Sequence, residues 1–423
     1  VSSFTQIHQE VAQMPIVDVH EHHLPELFHG TDVGLLQLLK QSYAGWAVAR
    51  PYTLPGEIRA GDPMLEAPGP GSWEELAAFL EARGANHFVR NMVRGILELH
   101  GGGAEQITRG NWEKLDATIR KARANRGWAD EVLRQAGIER VITDPYTDPI
   151  LDARQALGAH YRSVMRMNAF AFGWHPDSRD HNDNSAHGLL ARMNLAPASF
   201  ESYLHGFAQL VTGMPGRGQV AIKNALAYDR ALDFDAPERA LASQAWGKRN
   251  PSPAERKAFG DLVVDQSCVL AAQQGLPVQM HLGTALIRGS HPMNVAPLLE
   301  RHPGTRFLLM HLAYPWSRDL LGLAFVYRNI WLDLTWSLLL SPSHFKLALH
   351  EAIEILPDES RLMLGGDNWH AEETFATMQL ARRLIAEVLS EKVDAGYFHL
   401  DDALRLARRI LFENARVFFQ LNQ

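Results

Sequence analysis

The chain has 423 residues, 46% of them hydrophobic, enough apolar material for two or three average domains or one elaborated α/β barrel. A formal charge of −7 with no basic cluster argues against nucleic acid and anionic membranes as partners, and no apolar run approaches the roughly 20 residues of a membrane helix. The single cysteine, Cys268, excludes an internal disulfide; together with a start that does not read as a signal peptide, it sets the expectation of a reducing cytoplasm, while the missing initiator Met leaves the true N-terminus open.

Residues 1–15 predict a short amphipathic helix stopped by Pro15. The β-branched run Ile16-Val17-Asp18-Val19-His20-Glu21-His22 then predicts a buried strand. Side chains two apart share a strand face, so His20 and His22 project together as a chelating pair while His23 falls on the other face. In a chain with 20 histidines such a pair is weak evidence until partners appear elsewhere. Residues 24–135 carry no strand signal. Within them, 50–71 is rich in Pro and Gly and predicts an extended loop. Ser72-Trp73-Glu74-Glu75 has capping-box spacing. Phe88, Met92, Ile96 and Leu99 recur at helical spacing up to Gly101-Gly102-Gly103, and Trp112, Leu115, Ile119 and Ala122 mark a further helix. The region reads as an inserted helical subdomain, either a lid hinged at the glycines or a packed side domain.

Strands and helices alternate from there on. Strands are predicted at 140–143, 168–174, 219–223, 277–281, 305–311, 330–334 and 361–365. With the first, that makes eight, and eight βα units imply one closed parallel (β/α)8 TIM barrel over 1–423 with 24–135 inserted after its first strand. A last helix near 400–420, with Leu404, Leu411 and Phe418 at heptad-like spacing, is expected on the barrel exterior. Functional groups of such barrels sit at the C-terminal strand ends. Those ends carry His20 and His22, Lys223, His281, His311 and, just past Gly365-Gly366, Asp367. Singly, each has an ordinary structural explanation, such as a hydrogen-bonded core histidine or a helix N-cap. Together around one mouth, four histidines and an aspartate suit zinc, manganese or iron.

The set His20-Glu21-His22, Ile222-Lys223-Asn224-Ala225-Leu226-Ala227-Tyr228, Val278-Gln279-Met280-His281, His311-Leu312-Ala313-Tyr314-Pro315-Trp316 and Gly365-Gly366-Asp367 resembles the amidohydrolase superfamily. It is most similar to the branch with uronate isomerases, metal-dependent decarboxylases and the amidohydrolase-like half of fungal nodulin/glutamine-synthetase fusions. By that resemblance His20, His22 and Asp367 hold one metal, a carboxylated Lys223 bridges to a second, and His281 and His311 hold the second. Carboxylation is chemically sensible, because burial near cations favours the neutral amine that takes up carbon dioxide. The alternative is one metal on His20, His22, His281 and Asp367, with Lys223 an ammonium facing substrate and His311 an acid or base. Two divalent metals, zinc first, are the expectation, with Asp367 and His311 as catalytic groups.

The resemblance implies a hydrolase cleaving an amide or ester bond of a small carboxylate-bearing substrate. Its alternative is a mononuclear decarboxylase or sugar-acid isomerase, and a third reading is a barrel that binds metal without turnover. Tyr228, Arg230, Trp316, Arg318 and Trp369 are the expected substrate contacts, since aromatic walls and arginine forks suit an organic acid. The expected partner is a small molecule; a homo-oligomer is compatible with a large barrel, and the sequence does not specify one.

Overall fold

The computed structural model describes residues 2–25, 33–45 and 71–421; the extended loop expected over 50–71 lies almost wholly outside them. Eight parallel strands follow one another in sheet order: β1 (Ile16–Glu21), β2 (Ile138–Thr143), β3 (Tyr161–Arg166), β4 (Gln219–Asn224), β5 (Val278–Met280), β6 (Phe307–Leu309), β7 (Ile330–Asp333) and β8 (Leu362–Met363). Beyond the end of β8 the chain returns to β1 through Val19 N–H to Leu364 O (3.1 Å) and Asp367 N–H to His20 O (2.8 Å). The result is a nearly closed (β/α)8 barrel. Among the described residues no helix is long and apolar enough to cross a membrane.

One strand sits elsewhere than expected. Residues 168–174 begin with a short helix, Asn168–Ala171, and β3 lies before it. The alternating Ala169, Phe170, Ala171 and Phe172 imitate a strand, yet Asn168 ends the ladder by accepting from Ala225 N–H (2.9 Å) and donating to Asp229 (2.7 Å). The true strand was hidden by Arg162, Ser163 and Arg166, which interrupt its apolar character; the extra residue at its register slip, Val220, belongs to β4.

Where local signals were strong, the chain obeys them. Ser252 and Glu255 cap each other's free amides at the start of the helix Pro253–Gln274, and Gly275 ends it at φ +66°. Ser72 likewise accepts from Glu75 N–H, but the Glu75 carboxylate turns to Lys40 instead of completing the box.

The last helix corrects an expectation. Leu400–Arg408 continues through a wide turn, Arg409–Glu413, into Asn414–Phe418. Phe412, Ala415, Phe418 and Phe419 pack on Val17, Val19, Ile142, Val164, Ala221, Leu308 and Met363, the inward side chains of six strands. The segment therefore plugs the N-terminal end of the barrel, with Arg306 donating to Phe418 O (2.7 Å). An apolar face with that much aromatic surface finds a drier partner in the barrel's open end than on its outside.

The described helices between β1 and β2 have their own core of Leu35, Leu38, Met92, Ile96, Leu115 and Ile119 among others. They meet the barrel along the helix Ala371–Asp394. A Cβ on Gly95 would come within 2.4 Å of Ala376 Cβ, so these two helices touch at backbone distance. Buried Glu372 accepts from Arg123 (2.8 Å) and from Trp128 Nε1 (2.9 Å), pinning the end of the insertion.

A second pin is Arg382, buried with no carboxylate beside it among the described residues. Its Nη1 donates to Val11 O, and its Nη2 donates to Met14 O (2.8 Å) and Ala136 O (3.0 Å). These carbonyls close the ends of the helices Ser3–Gln13 and Trp128–Gln135, where a cation is favourable. Arg382→Met is expected to cost about 2–4 kcal/mol, because charge-assisted bonds are lost and buried carbonyls are stranded. Denaturant titration measures this; Arg382→Lys should recover only part, since a point charge cannot reach three carbonyls at once.

Candidate metal centre

The centre starts at the exit of β1. The strand stops at Glu21, and its pairing with β2 slips between Asp18 and Glu21, so simple alternation does not carry to His22. Asp18 Oδ1 accepts from His20 N–H (3.2 Å) and Gly366 N–H (3.1 Å), tying β1 to the loop after β8. The rings of His20 and His22 meet edge to face at 4.9 Å, and their Nε2 atoms lie 3.2 and 3.1 Å from Asp367 Oδ1. His22 Nδ1 lies 3.1 Å from the Asp144 carbonyl, which accepts its proton and leaves the Nε2 lone pair toward Asp367. His23 points elsewhere, to Tyr161 Oη (2.9 Å) and Thr374 Oγ1 (2.8 Å).

Asp367 reaches this position through a left-handed backbone, φ +70°. Gly365 and Gly366 precede it because side chains there would collide: a Cβ on Gly365 would sit 2.7 Å from His20 N, and one on Gly366 2.2 Å from Glu21 Oε1. Tyr43 Oη, from the insertion, donates to Asp367 Oδ2 (3.0 Å). The other oxygen, Oδ1, is buried with no hydrogen-bond partner among the described residues. One atom each from His20, His22 and Asp367 lie within 4.8 Å of one another. Two imidazole lone pairs and an unsatisfied carboxylate oxygen are a donor set that fits a divalent cation.

A second group adjoins the first. Lys223 Nζ is 3.3 Å from His20 Nε2 and 2.7 Å from Met310 Sδ. His281 Nδ1 and His311 Nε2 face each other at 3.0 Å, while their outer nitrogens sit 3.3 Å from the carbonyls of Thr284 and Thr335. Carbonyls only accept, so the tautomers with protonated outer nitrogens satisfy both carbonyls and turn the two inner lone pairs toward one another. Two neutral imidazoles repel in that arrangement unless a cation or a proton lies between them.

Electrostatics keeps the ligand atoms available. Burial brings His20 down to about 3, with Lys223 adding to the effect, and His311 down to about 4. His281 is likewise held well below the usual range by burial and by His311. Lys223 is brought down to about 8 by burial, which the neighbouring Asp144 opposes and Arg166 assists. For Asp367 burial works against ionisation, but the close approach of His20 and His22 outweighs it and holds the carboxyl well below its ordinary value. Left-handed backbone also gathers here: His311, Leu312, Ala313, Trp336 and Asp367 have φ of +62°, +47°, +47°, +63° and +70°. Such residues cost about 1–3 kcal/mol each and persist where surrounding structure enforces them.

The expected substrate contacts divide. Tyr228 packs on His281 (centroids 4.6 Å apart), and Trp369 stacks on His22 (5.5 Å). Trp316 instead packs against His291 (4.8 Å). Arg230 is bound to Asp261 (2.8 Å), and Arg318 is an exposed partner of Glu351 (2.7 Å), so neither guanidinium turns to the histidines. A loop arginine near a strand end cannot be told from a surface ion-pair partner without knowing which helix face opposes it.

Sequence reasoning missed Tyr43, Glu373 and the Asp144–Arg166 pair. Buried Glu373, pushed up to about 8 by burial, accepts from the backbone N–H of Tyr43 (2.9 Å) and of Trp369 (3.2 Å), setting both rings against the site. Tyr43 sits in a stretch with no pattern to single it out. Arg166 was legible only to a reading that ended β3 at the right residue.

Comparison with known proteins bears on the fold and the family. Protein fluG of Emericella nidulans is 29% identical over 274 residues, which cover 59% of this chain and 30% of that protein; the chain thus spans less than a third of its curated relative. Among solved structures, glucuronate isomerase from Caulobacter crescentus superposes with a TM-score of 0.73 at 18% identity, covering 100% of this chain and 94% of that one. Uronate isomerase from Thermotoga maritima gives a TM-score of 0.73 at 14% identity, with coverage of 99% and 97%. These likenesses speak for the shared fold. The amidohydrolase family model matches residues 200–421, just over half the chain and the part that carries β4 to β8 with Lys223, His281, His311 and Asp367, so the chain belongs to the amidohydrolase family of metal-dependent enzymes.

Proposed function

We propose that the chain is a hydrolase that cleaves an amide or ester bond of a small carboxylate-bearing substrate. The observation that carries this reading is the second group of nitrogens: His281 Nδ1 and His311 Nε2 3.0 Å apart, beside a buried lysine 3.3 Å from His20. His20, His22 and Asp367 would hold one divalent cation, and His281 and His311 a second, with Lys223 between them as a carbamate formed from the amine and carbon dioxide with loss of a proton. Zinc suits these nitrogen and oxygen donors. Bound there, such cations acidify water and polarise a carbonyl oxygen.

The protein's own groups supply the proton traffic. Asp367, ionised and oriented by Tyr43, accepts the proton of the attacking water and returns it to the leaving group. Tyr228 and Trp369, standing against His281 and His22, form the walls between which the reacting carbonyl is held. His311, fixed by the Thr335 carbonyl, is set to hold the second cation or, with one cation, to act as acid or base. The cytoplasmic location read from the lone, buried Cys268 belongs to the same proposal.

A decarboxylase or isomerase working with one cation is the second reading, favoured by His20, His22 and Asp367, which alone among the described residues bring one ligand atom each within 4.8 Å of one another. Elemental analysis of protein grown with and without chelator separates the two, together with carbon NMR after supply of isotope-labelled bicarbonate. Two metals per chain, a carbamate resonance and product from a panel of N-acyl amino acids are expected. One metal, no carbamate and no hydrolysis would decide for the second reading.

A further inference from the structure

With Arg230 and Arg318 engaged elsewhere, the barrel mouth holds another guanidinium. Arg166 ends β3 and is the Cα partner of Lys223 in β4, so it faces the same interior. Its Nε lies 3.2 and 3.1 Å from the two oxygens of Asp144, and its Nη2 lies 2.6 Å from Asp144 Oδ2. Asp144 therefore fills one edge of the guanidinium fork. The other edge, Nη1, meets only His181 Nε2, at 3.4 Å, among the described residues. His181 is itself held: its Nδ1 is 2.8 Å from Asp229 Oδ2 and its backbone N–H 2.9 Å from Asp229 Oδ1, while Asn168 fixes Asp229 from behind at 2.7 Å. Asp180, the remaining carboxylate nearby, is turned to its own loop amides, Asn182 (2.9 Å) and Asn184 (3.0 Å).

Two contacts tie this constellation to the metal ligands. Tyr228 packs on His181 (5.1 Å) and on His281 (4.6 Å), so a single ring separates them. The carbonyl of Asp144 accepts from His22. Arg166 and His181 thus stand one aromatic ring away from the histidines.

We propose that Arg166 and His181 form the subsite that receives the substrate's carboxylate, with Asp144 and Asp229 as the positioning residues behind them. This rests on the reading of the site as hydrolytic toward a carboxylate-bearing substrate. A carboxylate entering here accepts one hydrogen bond from Arg166 Nη1 and, once His181 takes up a proton at Nε2 with its Nδ1–H held by Asp229, a second from that imidazolium, in a place screened from water where charge-assisted bonds are strongest. Asp144 leaves the guanidinium pre-organised, so little side-chain freedom is lost on binding.

The test is calorimetric titration of the metal-loaded protein with N-acetylalanine and with N-acetylalaninamide, which lacks the acid. Wild type should bind the acid at least about tenfold more tightly than the amide. Arg166→Lys, which keeps a charge for Asp144 but not the fork, and His181→Asn should each collapse that preference by weakening binding of the acid far more than binding of the amide. Thermal melts establish that both variants fold, and either variant alone suffices. A preference that survives in both variants, or is absent from wild type, overturns the subsite. A preference abolished by chelator but untouched by the variants puts the carboxylate on the metal and overturns it as well. Should wild type keep the preference yet release no acetate from N-acetylalanine or any other acyl compound, the hydrolytic reading fails and the subsite stands.

Discussion

Asp367→Asn should lower turnover by about 10²–10⁴-fold while leaving most of the bound metal in place. Asparagine keeps the shape and keeps one oxygen to face His20 and His22, which lie 3.2 and 3.1 Å away. It does not keep the proton affinity. A neutral amide cannot take a proton from water and hand it on, so the loss falls on the chemical step rather than on substrate affinity. Tyr43→Phe provides the graded control, removing only the 3.0 Å hydrogen bond that aims Asp367 Oδ2. Its effect should be much smaller, and metal content should again be unchanged. Kinetics paired with elemental analysis reads both; near-normal turnover in Asp367→Asn would remove Asp367 from the proton-transfer role.

The reason Asp367 could be found in the sequence, and Tyr43 could not, lies in how each position is specified. Asp367 follows a strand and two glycines whose absent side chains let the backbone close on His20 and Glu21, and that demand leaves a pattern in the chain. His281 and His311 likewise end short apolar runs, where a polar residue stands out. Tyr43 is brought in by the packing of the insertion, its backbone bonded to Glu373, which is 330 residues away. Nothing local records that contact.

The same distinction explains the arginines. Arg230 lies in the loop after β4 and Arg318 in the first turn of the helix Ser317–Val326, but other helices that the sequence does not position supply Asp261 and Glu351 as their partners. Arg166 lay in a short strand, Tyr161–Arg166, whose Arg162 and Ser163 interrupt the apolar run that would have marked it. The plug at the barrel's N-terminal end was equally hidden, because an amphipathic helix does not state which apolar surface it will cover.

Lys223→Met should abolish turnover to within about 1% of wild type or less while the fold survives, since losing even an outer-shell partner of a metal costs roughly 10–100-fold and a direct ligand costs more. Lys223 is only 1% exposed, and its amine touches His20 Nε2 and Met310 Sδ. A methionine of similar length fills that space without a buried polar group, so thermal stability should hold or rise. The fate of the metal then discriminates between the two readings of the site. If Lys223 bridges as a carbamate, the variant loses metal from the His281–His311 side, and added formate or acetate should restore part of the activity by supplying the missing oxygens. If Lys223 is an amine that contacts substrate, metal content stays at one per chain and added carboxylates do nothing. The defect then appears mainly in KM. The pH dependence provides an independent check with a definite sign. Burial brings the amine down to about 8, so its neutral form, the one that reacts with carbon dioxide, gains as pH rises through that value. Reloading of chelated enzyme should therefore be faster at pH about 9 than at pH about 7 if a carbamate must form. Equal rates at both, with no response to bicarbonate, would count against the bridge.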